Sequence, residues 1–241
     1  MDFEEWEPVY ERILADFGYD RQGDEHARDV LLAVLEEMTS ENERCRQHDA
    51  LSHLDFTDET VAVAGAASTL EDELDVVETA TSIVAASDAA RRLRDVGFHI
   101  DCMVTDLDKS PGTARELTIE GTPVAVHAHG DNVPLLELHV PRFEVRSVIP
   151  TTQASPNGPV RNYGGFTDGD RAAFLADAVG AARLVFPGWE FDDPAVSAEK
   201  RRKLEWAARL LRWLERRRNE RFGVLDGRRD ALDRYVSRNG M

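Results

Sequence analysis

The sequence contains little lysine, little cysteine and no long apolar run. Lysine occurs only at Lys109, Lys200 and Lys203, although the 241 residues include 29 basic side chains. With two cysteines, Cys45 and Cys102, neither a disulfide framework nor a cysteine-based zinc site is supported. No apolar run approaches the roughly 20 residues that cross a bilayer, and the start of the chain lacks the pattern of a secretory signal. We therefore expect a soluble, cytoplasmic protein without a membrane partner.

Acidic residues dominate the charge. The formal net charge is −17, and abundant carboxylates with scarce lysine indicate a halophilic protein that stays soluble in high salt. The same charge argues against nucleic-acid binding, which needs a basic surface. Residues 1–60 contain 18 acidic and 5 basic side chains, whereas residues 200–241 contain 6 and 14. We expect these two ends to pack against one another or across a homodimer.

The hydrophobic pattern divides the chain into two regions. Residues 1–54 have apolar side chains at helical spacing, which indicates an N-terminal helical extension. Residues 55–241 alternate β-rich runs with helical segments, and this predicts an α/β catalytic domain with a mainly parallel, doubly wound sheet and helices on both faces. Strands are predicted at 61–64, 82–86, 102–105, 123–127, 145–149 and 183–186, and helices near 69–78, 88–96, 111–119, 132–139 and 170–180. Asp193-Pro194 predicts the start of a long C-terminal helix, with Asp as the N-cap and Pro at the first position.

Two carboxylates, Asp106 and Asp108, follow the predicted strand at 102–105. In an open α/β sheet, ligands bind at the carboxyl ends of the strands. Carboxylates two residues apart at such a position can hold a hard cation such as Mg²⁺, usually shared with substrate phosphates. The alternative is a solvated turn, since Asp-x-Asp is common in so acidic a chain.

The loops after the first two strands each allow two interpretations. Gly65 and Ser68 belong to a small-residue loop that either presents backbone N–H groups to an anion or forms an ordinary tight turn capped by Ser68. Neither a dinucleotide fingerprint nor a GxxxxGK[ST] loop is present. Asp88 either caps the next helix or helps to form a pocket for a small polar ring, such as the edge of an aminopyrimidine or pterin.

The fourth strand is predicted to end in a cluster of polar residues. His127 and His129 face the same way in a strand, so both could contact one ligand. Zinc is disfavoured because no third soft ligand lies nearby in sequence. We favour contact with phosphate or a nucleotide, with Asp131 and Asn132 also capping the following helix; the alternative is a purely structural turn.

A long loop at 151–170 leads into a glycine-rich helix start. Loops of this length are usually functional or disordered. Thr167 or Asp168 can cap the helix, and the neighbouring glycines permit close approach to phosphates. Asp168 supplies a third carboxylate at the edge that already carries Asp106 and Asp108. Three acids that would repel one another favour a Mg²⁺ site over a structural role.

The three segments together resemble the archaeal 6-hydroxymethyl-7,8-dihydropterin pyrophosphokinase family, which is itself similar to the catalytic domain of thiamin pyrophosphokinases. The resemblance rests on Asp101-x-x-Val104-Thr105-Asp106-Leu107-Asp108, on His127-x-His129-Gly130-Asp131-Asn132 and on Gly165-Phe166-Thr167-Asp168-Gly169-Asp170-Arg171-Ala172. It covers about residues 55–215, including Lys200-x-x-Lys203-Leu204. The chain departs from the pattern at Ala66 and Ala67, where Gly and Pro are common, and at Lys109, where a glycine is commoner.

The resemblance implies a Rossmann-like fold and an enzyme that transfers diphosphate from ATP to 6-hydroxymethyl-7,8-dihydropterin, releasing AMP, in folate or methanopterin biosynthesis. It implies a Mg²⁺ site formed by Asp106, Asp108 and Asp168. Candidates for holding the nucleotide or its phosphates are His127, His129, Asp131, Asn132, Arg161 and Thr167. Gly65, Ser68 and Asp88 are the candidates for the pterin side.

Three other functions fit the same residues. A thiamin pyrophosphokinase would catalyse the same transfer to a different alcohol. A glycan-modifying transferase would not release free AMP. A non-catalytic nucleotide-binding module would bind nucleotide without turnover.

Overall fold

A six-stranded parallel sheet forms the centre of the fold in the computed structural model, which describes residues 1–39 and 50–239. The strands are β1 Thr60–Ala64, β2 Ser82–Ala86, β3 Cys102–Thr105, β4 Val124–Ala128, β5 Val148–Thr152 and β6 Arg183–Val185. Their order across the sheet is β5-β4-β3-β2-β1-β6, and every neighbouring pair is parallel. The predicted α/β class is confirmed. Cys102 is a buried free thiol, whereas Cys45 lies outside the described residues.

Helices cover both faces of the sheet. They are α1 Phe3–Phe17, α2 Arg21–Met38, α3 Leu74–Glu78, α4 Asp88–Asp95, α5 Pro111–Glu120, α6 Val133–His139, α7 Asp168–Ala178, α8 Ala198–Arg218 and α9 Arg229–Asn239. Short 3₁₀ turns join several of these elements. Of the helices in the described ranges, none has both the length and the apolar character needed to cross a membrane.

Alternation along the strands separates two hydrophobic clusters. Successive strand residues point to opposite faces, so Val61 and Val63 face one cluster while Ala62 and Ala64 face the other. Helices α1, α7 and α8 pack on the first face, and helices α2 to α6 pack on the second. The two N-terminal helices therefore contribute to the same sheet core from opposite sides.

The acidic N-terminal end contacts the basic C-terminal end, as expected from the charge distribution. The indole Nε1 of Trp206 in α8 donates to Asp16 Oδ2 at 2.9 Å, and Arg217 of α8 pairs with Glu5 of α1. Exposed ion pairs contribute little stability, so the buried apolar stripe of α8 provides most of this contact.

The predicted start of the long helix at Asp193-Pro194 is wrong. Helix α8 begins at Ala198, and its N-cap is Ser197, whose side chain accepts from Lys200 N at 3.1 Å. The Asp193 carboxylate instead accepts from Ala195 N at 2.8 Å. This local side-chain-to-backbone bond closes a turn, which competes with helix initiation.

Candidate active site

A cleft of about 830 Å³ opens at the carboxyl ends of the strands. Each of the six strand ends contributes to it: residues 65–68 after β1, Ala86 and Ser87 at β2, Asp106, Asp108 and Lys109 after β3, residues 129–131 after β4, Gln153 after β5 and residues 188–190 after β6. The N-terminal turn of α7, part of α8 and the start of α2 complete the walls. This is the position at which ligands bind in open α/β sheets.

Three carboxylates meet in the cleft. Asp106, Asp108 and Asp168 each offer an oxygen, and these oxygens lie within 4.8 Å of one another. Leu107 adopts a left-handed conformation, with φ of +70°, and buries its side chain in the core. Its backbone N–H donates to Thr105 Oγ1 at 2.9 Å. The buried leucine fixes the turn that carries Asp106 and Asp108 at the edge of the cleft.

The electrostatics of this cluster are unfavourable without a cation. Burial and the negative charge of Asp106 raise the pKa of Asp168 to about 7. Burial and the hydrogen bond with Asp106 also raise the pKa of Asp108. Burial opposes ionisation of Asp106, but its bond to His129 and the charge of Arg171 lower the Asp106 pKa below its ordinary value. Burial and the neighbouring negative charges thus explain the raised pKa values of Asp168 and Asp108, whereas His129 and Arg171 explain the lowered pKa of Asp106.

The donor set fits Mg²⁺. Carboxylate oxygens are the ligands that hard cations prefer, and in the described ranges 1–39 and 50–239 this is the one group of three or more acidic, histidine or cysteine side chains close enough to share an ion. A divalent cation would offset both the burial and the repulsion that raise the pKa of Asp168.

The two histidines of the β4 end occupy different depths. His129 lines the cleft, and its Nε2 lies 3.3 Å from Asp106 Oδ2. His127 is buried within the strand, with Nδ1 3.1 Å from Thr151 Oγ1, and does not line the cleft. Burial and the charge of Arg171 lower its pKa well below the ordinary value, so His127 is neutral near pH 7. The centroids of the two imidazole rings are 6.3 Å apart.

Asn132 joins the ends of two strands. Its Nδ2 donates to the carbonyl oxygens of Asp106, at 2.9 Å, and His127, at 2.7 Å, while its Oδ1 accepts from His129 N at 3.0 Å. The side chain is buried. The structure therefore gives Asn132 a scaffolding position beneath the cleft, whereas its neighbour Asp131 is exposed and lines the cleft.

The start of α7 places Thr167 and Asp168 at the cleft and Asp170 behind it. Thr167 is the N-cap residue. The fully buried Asp170 carboxylate accepts from Phe166 N at 2.6 Å and from Thr167 N at 2.9 Å. The predicted capping of this helix is confirmed. Arg161 is exposed and is not among the cleft-lining residues.

The candidates for a ring pocket are only partly brought together. Gly65 and Ser68 line the cleft, and a Cβ at Gly65 would lie 2.4 Å from Gly188 O, so the backbone contact there requires glycine. Asp88 does not line the cleft, and its carboxylate accepts from Arg91 Nε at 2.9 Å and from the Ser110 hydroxyl.

The residue beside Asp88 is the more exceptional one. Ser87 lines the cleft with φ of +51°, a conformation that is strained for a residue with a side chain. Its buried hydroxyl has no hydrogen-bond partner in the part of the chain that the structure describes. Strained residues with unsatisfied polar groups are concentrated at binding sites.

Sequence reasoning assigned no role in the cleft to the three lysines. Lys109, in the loop after β3, and Lys200 and Lys203, in α8, all line the cleft. The pKa of Lys200 is lowered because its ammonium group is buried within the cleft and lies near the charge of Lys109. The composition could have indicated this role. Because arginine supplies nearly all of the positive charge, the few lysines are expected where a compact ammonium group is needed.

The N-terminal helices also contribute residues that sequence reasoning missed. Tyr19, Asp20, Gly23 and Asp24 line the cleft. Asp24 is buried and occupies the same helical stripe as the buried residues Ala27, Leu31 and Leu35. A carboxylate in the apolar stripe of an amphipathic helix was the available signal, since unpaired charges are rarely buried.

The chain is similar in sequence to known proteins of one family. A sequence model described as "6-hydroxymethylpterin diphosphokinase MptE-like" matches residues 35–195. Three curated relatives are named 6-hydroxymethyl-7,8-dihydropterin pyrophosphokinase. The chain is 37% identical to the protein of Methanothermobacter thermautotrophicus over 235 residues, 90% of this chain and 96% of the relative. It is 37% identical to that of Pyrococcus furiosus over 232 residues (89% and 95%), and 30% identical to that of Methanocaldococcus jannaschii over 241 residues (89% and 96%).

The fold, the cleft and these relatives together define an enzyme of the diphosphotransferase class. The chain belongs to the MptE-like 6-hydroxymethylpterin diphosphokinase family, which confirms the resemblance drawn from its three motifs.

Proposed function

We propose that the protein transfers diphosphate from ATP to the hydroxymethyl group of 6-hydroxymethyl-7,8-dihydropterin, with AMP as the second product. The observation that carries this proposal is the convergence, in one cleft, of three carboxylates and all three lysines of the chain. The pterin hydroxyl attacks the β-phosphorus of ATP, the bond from that phosphorus to the α-phosphate bridging oxygen breaks, and the hydroxyl proton passes to a base. Such transfers depend mainly on positioning and charge neutralisation.

The carboxylates Asp106, Asp108 and Asp168 would hold Mg²⁺ in this reaction. When bound, the cation neutralises phosphate oxygens and orients the phosphate chain. His129, hydrogen-bonded to Asp106, keeps that carboxylate ionised and directed into the cleft. Thr167 and Asp131 also line the cleft, and we assign them to the region of the nucleotide phosphates.

The lysines supply positive charge in the same cleft as the carboxylates. Lys109 and Lys200 face Asp108 closely enough to counter its raised pKa. Ammonium groups bind phosphate as point charges and adapt to its movement during transfer. We assign Lys109, Lys200 and Lys203 to the polyphosphate of ATP.

The pterin would bind at the end of the cleft formed after β1 and β2. There the Gly65–Ser68 loop approaches Trp189, whose Nε1 donates to Val63 O at 2.8 Å and whose ring is thereby fixed. The unpartnered hydroxyl of Ser87 lies in the same wall and can bond to a polar ring edge. Asp88 supports this turn from behind through Ser110 and Arg91.

The direct test is to incubate the pure protein with ATP, Mg²⁺ and the dihydropterin alcohol and to detect AMP and the pterin diphosphate. Thiamin replaces the pterin in a matched reaction. We expect equal amounts of AMP and diphosphate ester with the pterin only. Transfer to thiamin instead would identify a thiamin pyrophosphokinase, and nucleotide binding without AMP release would indicate a non-catalytic module.

The lysine assignment has an independent test, because an amine-reactive reagent can modify only three side chains in this protein. ATP with Mg²⁺ should protect Lys109, Lys200 and Lys203 together, as measured by mass spectrometry of the labelled peptides. Unchanged labelling in the presence of saturating nucleotide would remove the lysines from the phosphate site.

A further inference from the structure

A line of buried polar side chains connects the N-terminal helices to the carboxylate cluster. Tyr10 Oη donates to Asp24 Oδ2 at 2.7 Å, and Gln153 Nε2 donates to the same oxygen at 2.8 Å. Arg171 Nη2 donates to Gln153 Oε1 at 3.2 Å, and Arg171 Nη1 donates to Asp168 Oδ1 at 3.0 Å. Tyr10, Asp24, Gln153 and Arg171 are each at most 6% exposed.

The polarity of this line is fixed from its N-terminal end. An ionised carboxylate only accepts hydrogen bonds, so Asp24 makes Gln153 present its NH₂ group to α2 and its carbonyl oxygen to Arg171. If the Gln153 amide turned over, its NH₂ group would face the guanidinium, which also only donates. The acceptor oxygen of Asp24 therefore determines which end of the Gln153 amide faces Arg171.

Backbone contacts fix the position of Asp24 relative to the sheet. Gly130 N donates to Asp24 Oδ1 at 2.8 Å, so both carboxylate oxygens have partners. A Cβ at Gly130 would lie 3.3 Å from the backbone of Gly23, so the start of α2 rests directly on the loop after β4.

Arg171 consequently reaches Asp168 with one nitrogen only. Its Nη1 contacts Asp168 Oδ1, while Nη2 is turned towards Gln153. An unrestrained arginine favours a two-pronged pair with a carboxylate, in which both oxygens are occupied. Such a pair would compete with a cation for Asp168.

We propose that Asp24 and Gln153 are positioning residues that restrain Arg171 and thereby leave Asp168 available to a divalent cation. This proposal rests on the proposed function, because it takes the three carboxylates as the cation site. The proposal gives the N-terminal helices a role in the cation site, because α2 carries Asp24. Partners one shell away from a metal typically change its affinity by 10-fold to 100-fold when they are removed.

The test compares Gln153→Met with Tyr10→Phe. Each variant removes one hydrogen bond to Asp24 Oδ2, and Gln153→Met also removes the bond from Arg171 Nη2. A merely structural role therefore predicts a larger loss of melting temperature in Gln153→Met but similar metal binding in the two variants. Only Gln153→Met releases Arg171. We expect Mg²⁺ binding, measured by calorimetry on nucleotide-free protein, to weaken about tenfold or more in Gln153→Met and by less than about twofold in Tyr10→Phe. Gln153→Leu, which also lacks both polar atoms of the amide, should weaken binding like Gln153→Met and replaces that variant if it does not fold.

A double-variant cycle makes the mechanism specific. In an Arg171→Met background, Gln153→Met should have little further effect on Mg²⁺ affinity, because the residue that it restrains has gone. Equal losses of affinity in Tyr10→Phe and Gln153→Met, or additive effects in the cycle, would overturn the proposal. If the wild-type protein itself binds no Mg²⁺, the cation site of the proposed function fails. Normal binding by both wild type and Gln153→Met refutes only the positioning role.

Discussion

Asp168 and Asp170 occupy the same turn of α7 but differ in what surrounds them. Asp170 is fully buried, and its two oxygens accept from two backbone N–H groups and from the Thr167 hydroxyl. Among the described residues, Asp168 accepts a hydrogen bond only from Arg171, and it faces two other carboxylates. Hydrogen bonds within the fold therefore occupy both oxygens of Asp170, whereas Asp168 retains oxygen lone pairs that could bind a ligand. In an acidic chain, this difference is more informative than the presence of aspartate.

The largest effect on activity should come from a substitution in the carboxylate cluster of Asp106, Asp108 and Asp168. Asp106→Asn should lower kcat/KM by about a thousandfold, since several kcal/mol of charge stabilisation correspond to about three decades in rate. The protein should still fold, but its melting temperature should fall slightly, because His129 and Arg171 stabilise the ionised Asp106 carboxylate in the folded state. The rate of AMP formation and a thermal melt measure both. Normal turnover in purified Asp106→Asn would exclude this residue from the cation site.

Asp170→Ala should give the opposite result. It leaves the N–H groups of Phe166 and Thr167 buried without partners, and the free energy of unfolding should fall by about 3 kcal/mol. Urea denaturation measures the loss. A stability equal to that of the wild type would show that the capping network is dispensable, and the distinction between Asp168 and Asp170 would then lose its basis.

The pH dependence of stability sharpens the comparison further. The folded-state pKa of Asp168 is about 7, above the unfolded value of about 3.9, so its contribution to stability is fully present below pH about 4 and is lost as the pH rises through 7. In EDTA, Asp168→Asn should therefore melt at a higher temperature than wild type at pH 8, with the difference shrinking towards pH 5.

Metal binding should follow the same titration. Because Mg²⁺ binding requires the ionised carboxylate, wild-type affinity should rise between pH 6 and 8, with proton release detected by calorimetry in buffers of different ionisation enthalpy. A pH-independent difference between wild type and Asp168→Asn would contradict the raised pKa.

The smallest effect is expected at the edge of the cluster. His129→Ala removes a 3.3 Å contact to Asp106 and should raise the KM for ATP by about tenfold or less, with a small change in melting temperature. Steady-state kinetics over a range of ATP concentrations measure the change. A collapse of the melting temperature with an unchanged KM would assign His129 to the fold.

Local features of the site were predictable, because neighbours in sequence determine them. Cys102–Thr105 is an apolar run followed immediately by Asp106 and Asp108, and the structure places its strand at the predicted residues. The strand predicted at 145–149 lies instead at Val148–Thr152, since Val145–Ser147 forms a 3₁₀ turn. Because β5 contains polar threonines and a proline, the apolar pattern of the sequence did not show where this strand ends.

The rest of the site depends on contacts that are distant in sequence. Asp24 and Gln153 are separated by 129 residues, and the lysines of α8 reach the cleft only because α8 packs against α1, α7 and the sheet. No local pattern encodes those distances. His127 shows the same limit: its alternation with His129 was visible in the sequence, but its burial beneath Thr151 follows from the pairing of β4 with β5.

The position of α8 also determines when the cleft can be completed during synthesis on the ribosome. The chain emerges N-terminus first, and β1 lacks its second neighbour until β6 at Arg183–Val185 has been translated. Lys200 and Lys203 follow later still. A nascent chain thus carries Asp106, Asp108 and Asp168 before Lys200 and Lys203 exist, so the proposed polyphosphate site would be complete only when nearly all of the chain has been made.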